Sequence, residues 1–324
     1  MELITYKLGD NLHLSEKIIA AIGQFDGLHL AHTTLIKKAI SLAKTKNIKS
    51  AVITFDPHPD FVLGKRANYG YITPISAKIN YLQSLGIDYL ILIEFTKELS
   101  QLEPSEFEQK ILLSLNIDTL VAGFDFHYGR FGKGNIDTLR DLNKFDVIEI
   151  PMIEYQNEKM GSDLVRKYLT LGELDHVKNI LGRYYNITGK VVPGNKVGRI
   201  LGFKTANVSL DDDYHFLRKG VYGVIVTINN KEYLGVANIG NNPTVNYVER
   251  PRLEVHILDF NDDIYGQEIS VDFVFFIRDE EKFININDLI KQIEEDAKIA
   301  KEKLLMIKEK ENESCDCCGD ERRS

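Results

Sequence analysis

Apolar runs alternate with amphipathic stretches over the first half of the chain. The runs predict strands at 17–22, 50–55, 89–95, 119–123 and 147–150. Between them, apolar residues recur at helical spacing, which predicts helices at 32–43, 77–85 and 104–115. Nearly continuous apolar strands separated by helices are typical of a parallel sheet covered on both faces, so we expect an α/β Rossmann-like domain.

The pattern changes after about residue 185. Short alternating segments follow at 186–192, 220–228, 231–239, 252–258 and 269–277. They predict an antiparallel sheet or a small closed β-barrel, and a charged amphipathic stretch at 286–310 predicts a final helix. We therefore expect domains at 1–184 and 185–311, followed by a disordered tail at 312–324.

Composition and charge narrow the class of protein. The chain has 324 residues with 44% hydrophobic and 27% charged, as in a folded protein of two domains. Its net charge of −8 argues against nucleic acid as a partner. No apolar run approaches the roughly 20 residues that cross a bilayer, so we expect no membrane partner. The three cysteines all lie in the last ten residues, which predicts a reducing, cytoplasmic location.

Glycines and histidines cluster at the first strand-to-helix junction. The segment GQFDGLHLAH begins at Gly23 and includes Asp26 and Gly27. Ligands bind beyond the carboxyl ends of parallel strands, where a helix N-terminus offers free N–H groups to phosphate. His29 and His32 are three residues apart, so they face the same way. This spacing suits a phosphate site, but surface histidines and metal pairs also have it, and glycines alone indicate a tight turn.

A second glycine-rich stretch opens the second predicted domain. It reads GKVVPG from Gly189 and ends in GRILGFKTAN at Asn207. Such a loop can wrap phosphate with backbone N–H groups, but barrels also use glycine at sharp bends. Spacing alone leaves both interpretations open. Glu254, on a later strand, is by itself as typical of an outward-facing strand residue as of a catalytic carboxylate.

Four N-terminal segments together resemble the FAD synthetase module of the nucleotidylyltransferase superfamily. The junction is similar to its GxFDGxHxGH signature. TFDPHP at 54–59, GFDFHYG at 123–129 with GKG at 132–134, and GSDLVR at 161–166 follow in the family's order. The four segments span about 150 residues in register, which makes the resemblance specific although each segment alone is weak.

The resemblance implies that FMN phosphate attacks the α-phosphorus of ATP, with pyrophosphate leaving and Mg²⁺ bridging phosphate oxygens. It implies that His29 and His32 stabilise the triphosphate and that Arg166 clamps the leaving phosphates. Asp125 and Phe126 are the implied flavin contacts. The further implied ATP contacts are Gly23, Asp26, Gly27 and Ser162.

The second half resembles riboflavin kinase, which implies an antiparallel six-stranded β-barrel followed by a C-terminal helix. The stretch that ends at Asn207 is similar to the signature GxVxxGxxxGRxLGFPTAN, and GVY at 220–222, GVANIGNNPT at 235–244 and EVHILDF at 254–260 follow in order. The resemblance implies that Thr205 and Asn207 bind Mg²⁺ and ATP phosphates, and that Glu254 is the base that activates the ribityl hydroxyl. The remaining implied contacts are Gly194, Gly198 and Gly202 with ATP, and Arg278 with flavin.

Four positions depart from these family patterns. Ala31 replaces a glycine between the histidines, Gly161 and Asp163 replace a serine and a threonine of a Ser-Ser-Thr turn, and Lys204 replaces a proline. The resemblance implies a bifunctional enzyme with riboflavin, FMN, FAD and ATP as small-molecule partners, acting as a monomer or weak homo-oligomer. Two alternatives stay open: a riboflavin kinase with a weak or inactive adenylyltransferase domain, and a non-catalytic flavin or nucleotide sensor.

Overall fold

The computed structural model describes residues 1–65, 70–193, 203, 205–210, 212–241 and 251–317. The chain divides into two units, Met1–Leu164 and Val165–Ser324. This division falls before the predicted boundary at residue 184, which stays a prediction.

A six-stranded, all-parallel sheet forms the centre of the first unit, in the order β1-β4-β3-β2-β5-β6. The strands are β1 (Glu2–Tyr6), β2 (Ile18–Ile22), β3 (Lys49–Asp56), β4 (Tyr89–Glu94), β5 (Ile117–Gly123) and β6 (Asp146–Ile150). The helices are α1 (Leu30–Lys46), α2 (Pro59–Val62), α3 (Ile75–Ser84), α4 (Pro104–Lys110), α5 (Ile136–Asp141) and α6 (Ser162–Leu171). A hairpin of β7 (Glu154–Tyr155) and β8 (Glu158–Lys159) lies before α6.

The strand order contains one switch point. From β2 the chain adds β3 and β4 on one side, and later adds β5 and β6 on the other. The loops after β2 and β5 therefore diverge at the carboxyl edge of the sheet, which is where doubly wound proteins bind ligands. The confirmed parallel sheet thus places the first candidate site between these two loops.

Apolar side chains cover both faces of this sheet. On one face, α1 buries the apolar stripe that predicted it: Leu35, Ile36, Ala39, Ile40 and Ala43. Each fully buried leucine or isoleucine contributes about 1.5–3 kcal/mol. The predicted helix at 104–115 is shorter than expected, because α4 ends at Lys110 and a 3-10 turn at 112–114 follows.

A closed antiparallel barrel of six strands forms the second unit, as predicted, in the order β10-β13-β12-β11-β14-β9. Helix α7 (Leu174–Leu181) precedes it. Its strands are β9 (Tyr185–Val192), β10 (Thr205–Ser209), β11 (Gly220–Ile228), β12 (Lys231–Asn241), β13 (Pro251–Ile257) and β14 (Glu268–Arg278), and helix α8 (Ile286–Cys317) follows. Helix α8 buries Ala300 and Leu304 against the barrel, so β11 is buried on both faces.

Helix α8 extends beyond the end predicted for it. No proline or glycine interrupts residues 286–317, and the helix continues to Cys317. Glu311 anchors this last part, since it accepts hydrogen bonds from Lys178 and Tyr184, both at 2.6 Å. The helix thus enters the segment predicted as a tail, of which residues 318–324 lie outside the described residues.

Candidate active sites

The two histidines of the first motif lie at the start of α1. His29 is the N-cap residue and is 3% exposed. Its Nδ1 accepts the backbone N–H of His32 at 3.4 Å, and the two rings stack with centroids 3.6 Å apart. Because Nδ1 of His29 acts as an acceptor, the proton of its neutral ring lies on Nε2. The pair thus occupies the end of the helix that favours phosphate.

Electrostatics around His32 favour a neutral ring. Burial, together with the nearby His29, Lys78 and Lys159, holds the pKa of His32 well below its usual value of 6.5. Within the described residues, the buried Nδ1 of His32 has no hydrogen-bond partner. A second proton on this ring would therefore be poorly solvated until an anion approaches.

Buried hydrogen bonds hold the loop before these histidines. Asp26 is 1% exposed, and its Oδ1 accepts the backbone N–H groups of Ile72 and Thr73 at 3.0 and 3.1 Å. Gly27 follows with φ +85°, a conformation that favours glycine. Ser162 Oγ donates to the Asp26 carbonyl at 2.7 Å. Asp26, Gly27 and Ser162 therefore come together, although Asp26 and Ser162 act on the backbone here.

The loop after β5 carries the predicted flavin residues. Asp125 forms an ion pair with Lys159 of β8, and the Lys159 ammonium lies 5.2 Å from the centroid of the Phe124 ring. Phe126, in contrast, packs against the core and stacks on Tyr128 at 5.8 Å. The aromatic ring beside Asp125 that is exposed is thus that of Phe124, which is 38% exposed and was not predicted.

Gly23 and Arg166 complete the predicted residues of this site. Gly23 directly follows β2, and its N–H donates to the Ile53 carbonyl at 3.1 Å. Arg166 lies on α6, which begins at Ser162 in the first unit and continues into the second. The clamp role of Arg166 stays a prediction.

The second candidate site lies on neighbouring barrel strands. Asn207 of β10 is directly opposite Glu254 of β13, which is opposite Asn238 of β12. Directly opposed residues share one face of a sheet, so these three polar side chains form a row. Arg252 joins the row, with its Nε 2.9 Å from Glu254 Oε1 and 2.8 Å from Asn207 Oδ1.

This row offers hard oxygen ligands. Thr205 and Asn207 are two residues apart on β10, so their side chains lie on the same face of the strand. The Thr205 hydroxyl and the Asn207 amide oxygen therefore lie on the face that carries the Glu254 carboxylate. Such a donor set fits Mg²⁺. Among the described residues, no group of three or more His, Cys, Asp and Glu side chains could hold a metal ion. The predicted phosphate-loop residues Gly194, Gly198 and Gly202, and the departure Lys204, lie outside the described residues.

Arg278 makes a buried ion pair at the end of β14. Its Nε and Nη2 donate to Asp296 of α8 at 2.9 and 2.7 Å, and the Asp296 side chain is 4% exposed. Nη1 donates to the Asp279 carbonyl at 2.9 Å. The side chain thus joins α8 to the barrel in this structure, and its flavin contact stays a prediction.

Sequence reasoning missed three basic residues at these sites: Lys78, Lys159 and Arg252. Lysine on a predicted helix normally faces solvent, so nothing in the sequence singled out Lys78. Lys159 is two residues before the Gly-Ser-Asp motif, and Arg252 is two residues before Glu254. Residues i and i+2 share a strand face, so the position of Arg252 was a usable signal.

Comparison with known proteins finds a matching family for each half of the chain. A family profile for FAD synthetase matches residues 12–164, and one for riboflavin kinase matches residues 181–304. A relative from Bacillus subtilis (strain 168) is 39% identical over 285 residues, with 86% of this chain and 90% of the relative covered. One from Escherichia coli (strain K12) is 32% identical over 292 residues, covering 89% and 93%. Both are named bifunctional riboflavin kinase/FMN adenylyltransferase.

A solved structure has the same fold over nearly the whole chain. It is titled a macrolide-efflux protein from Streptococcus pneumoniae, and it is 29% identical with a TM-score of 0.84, covering 92% of this chain and 99% of that one. In the described part of this chain, no helix has the length and apolar character needed to span a membrane. From the two family profiles and the full-length relatives, the chain belongs to the bifunctional riboflavin kinase/FMN adenylyltransferases, ATP-using enzymes of flavin biosynthesis.

Proposed function

We propose that the row on β10 and β13 is the riboflavin kinase site, with Glu254 as its general base. The observation that carries this proposal is the direct opposition of Asn207 and Glu254 across the two strands. The ribityl hydroxyl attacks the γ-phosphorus of ATP, the bond from that phosphorus to the β,γ-bridging oxygen breaks, and ADP leaves. Glu254 takes the hydroxyl proton as the new O–P bond forms.

Asn207 and Thr205 orient the ATP phosphates in this proposal. Mg²⁺ held by their oxygens would neutralise phosphate charge as it shifts towards the leaving ADP. The Arg252 guanidinium lies against both Asn207 and Glu254. Binding of anionic phosphate gives this guanidinium a competing partner, and movement towards it would release the Glu254 carboxylate for the proton.

The pair at the start of α1 is our proposed adenylyl-transfer site. An oxygen of the FMN phosphate attacks the α-phosphorus of ATP, the bond to the α,β-bridging oxygen breaks, and pyrophosphate leaves. His29 donates from Nε2, and His32 becomes a better donor as the triphosphate charge favours its protonation. Asp125 and Lys159, beyond the neighbouring strand β5, would orient FMN, and Arg166 would bind the leaving phosphates.

Three departures lie in this unit, Ala31, Gly161 and Asp163, and none of them replaces a proposed ligand. Ala31 is on the first turn of α1, beside the histidines rather than in place of one. Asp163 lies in the first turn of α6. The helix dipole stabilises a carboxylate at this position, but the same negative charge repels a bound phosphate. We therefore propose that adenylyl transfer is retained with weakened ATP binding; a kinase with a silent first unit is the alternative.

Product analysis tests the proposal. Purified protein is incubated with ATP and Mg²⁺ and either riboflavin or FMN, and the flavins are separated by chromatography. We expect FMN in the first reaction and FAD in the second, while FMN without FAD would leave only the kinase. No product in either reaction would favour the flavin or nucleotide sensor. Calorimetry of ATP binding with and without Mg²⁺ tests the metal independently of turnover.

Other properties stay predictions. The resemblance implies a monomer or weak homo-oligomer, the net charge argues against a nucleic-acid partner, and the distribution of cysteines predicts a cytoplasmic location. Light scattering of the purified protein measures the first, and a DNA-binding titration at low salt tests the second.

A further inference from the structure

Lys78 is a buried lysine that neither proposed reaction uses. It lies on α3 and is 2% exposed. Its ammonium donates to the Gln24 carbonyl at 2.8 Å and to Thr54 Oγ1 at 3.4 Å. Burying a lysine costs free energy that an apolar side chain of similar length avoids. Stability alone therefore does not account for a lysine at this position.

The Gln24 carbonyl receives two hydrogen bonds. Besides Lys78, Thr54 Oγ1 donates to it at 2.9 Å. The next residue, Phe25, has φ +51°, a left-handed conformation that is unfavourable for a non-glycine residue. Backbone of this kind persists where its surroundings hold it in place. Lys78 and Thr54 provide that restraint at the turn between β2 and α1.

Phe25 connects this turn to the catalytic pair. Its ring is 1% exposed and packs edge-on against His32, with ring centroids 5.2 Å apart. Asp26, the next residue, is tied to the backbone just before α3. Lys78 and the segment just before α3 thus hold the turn at two points. A shift of the Gln24 carbonyl would therefore move Phe25 and, through it, the His32 ring.

We propose that Lys78 is a positioning residue of the adenylyl-transfer site, whose ammonium fixes the Gln24 turn and, through Phe25, the ring of His32. The inference rests on the role proposed for His32. In this proposal Lys78 acts through the turn and does not itself contact the reacting phosphates.

Lys78→Met tests this inference, because methionine keeps the length of the side chain but neither its charge nor its donor. We expect kcat for FAD synthesis to fall by about 10- to 100-fold, the range that a small misplacement of a catalytic group causes, with less change in KM for ATP. FMN synthesis by the same protein should be unchanged. Lys49→Met, which removes an exposed partner of Asp88 in the same unit, is the matched control and should leave both activities intact.

The pH profile separates positioning from a purely structural role. The charged and titratable groups that act on His32 are His29, Lys78 and Lys159. Loss of the Lys78 cation removes one influence that lowers the pKa of His32. The limb of the kcat/KM profile that reports His32 should therefore move to higher pH in Lys78→Met, and Lys78→Arg, which keeps the charge, should move it back.

Each result has a defined meaning. Wild-type kcat for FAD synthesis in Lys78→Met overturns the inference, as does parallel loss of both activities with a lower Tm. If Lys78→Met does not fold, Thr54→Val, which removes the second donor to Gln24, must lower kcat for FAD synthesis or the inference fails. His32→Gln distinguishes the two proposals. Full FAD synthesis in His32→Gln refutes the role of His32 itself. Loss of FAD synthesis in His32→Gln, together with a fully active Lys78→Met, refutes only the positioning role of Lys78.

Discussion

Replacing Glu254 by glutamine separates its chemical role from its structural one. The ion pair with Arg252 is 2.9 Å long, with side chains 26% and 30% exposed. A partly exposed pair of this kind contributes about 0.2–1 kcal/mol to stability. Removing a general base costs about 10²- to 10⁴-fold in rate, or roughly 2.7–5.5 kcal/mol in the barrier. The expected loss of catalysis therefore exceeds the expected loss of stability several-fold.

The assay measures kcat for FMN formation from riboflavin, kcat for FAD formation from FMN, and the urea midpoint. We expect Glu254→Gln to lower kcat for FMN formation by at least about 100-fold. The kcat for FAD formation should be unchanged, and the urea midpoint should fall only by the small contribution of the ion pair. Glu232→Gln is the matched control, because Glu232 also forms a strand-borne ion pair, at 2.7 Å with Lys308. A kinase rate within about tenfold of wild type would refute Glu254 as the base, since one pairwise contact on the barrel could account for so small a change.

Three further perturbations test the first unit. Asp163→Thr should raise kcat/KM for ATP in FAD synthesis about fivefold, since a like charge about 4 Å away in water costs about 1 kcal/mol. Tyr128→Phe should lower the free energy of unfolding by about 1–3 kcal/mol, because the Tyr128 hydroxyl donates to the buried Glu108 carboxylate, at 2.6 Å; urea denaturation measures this. Because the pKa of His32 is lowered in the folded chain, the unfolded chain binds a proton at higher pH than the folded chain does. The free energy of unfolding should therefore decrease as pH falls below 6.5.

Controls make these three results decisive. Unchanged FAD synthesis in Asp163→Thr would mean that this carboxylate does not face phosphate. A Tyr128→Phe variant as stable as wild type would show that Glu108 finds another donor. For the pH effect, stability curves of wild type and His32→Gln should diverge below pH 6.5 by at most about 1.4 kcal/mol per pH unit, and parallel curves would contradict the shift.

The sequence predicted the fold where burial follows a simple period. The strands β2, β3 and β5 are largely buried on both faces, and their short apolar runs between turns are typical of strands in a covered parallel sheet. The edge strand β1 was missed because only Tyr6 of its residues is buried, so ELITY lacks that signal. Helix α8 is longer than predicted because charged residues are compatible with an exposed helix, so the sequence gives no clear signal for its end.

The candidate sites were predictable only as far as motifs reach. The motifs indicated His29 and Glu254, but not Lys78, because a lysine has the same sequence signal whether it faces solvent or a buried carbonyl. The position of Lys78 depends on β3 and α3 meeting over the turn at Gln24, a long-range contact. Arg278 shows the opposite case. The resemblance implied a flavin contact for it, and in the structure it pairs with Asp296, which is 18 residues away along the chain.

The order of strands in the parallel sheet has a consequence for synthesis on the ribosome. The central strand β2 gains its second neighbour only when β5 pairs with it, joining Ile18 to Ile117. At about 5–20 residues per second, the hundred residues between them take roughly 5–20 s to translate. Throughout that interval the nascent chain has an apolar strand with an open edge, the kind of segment on which chaperone binding and aggregation compete.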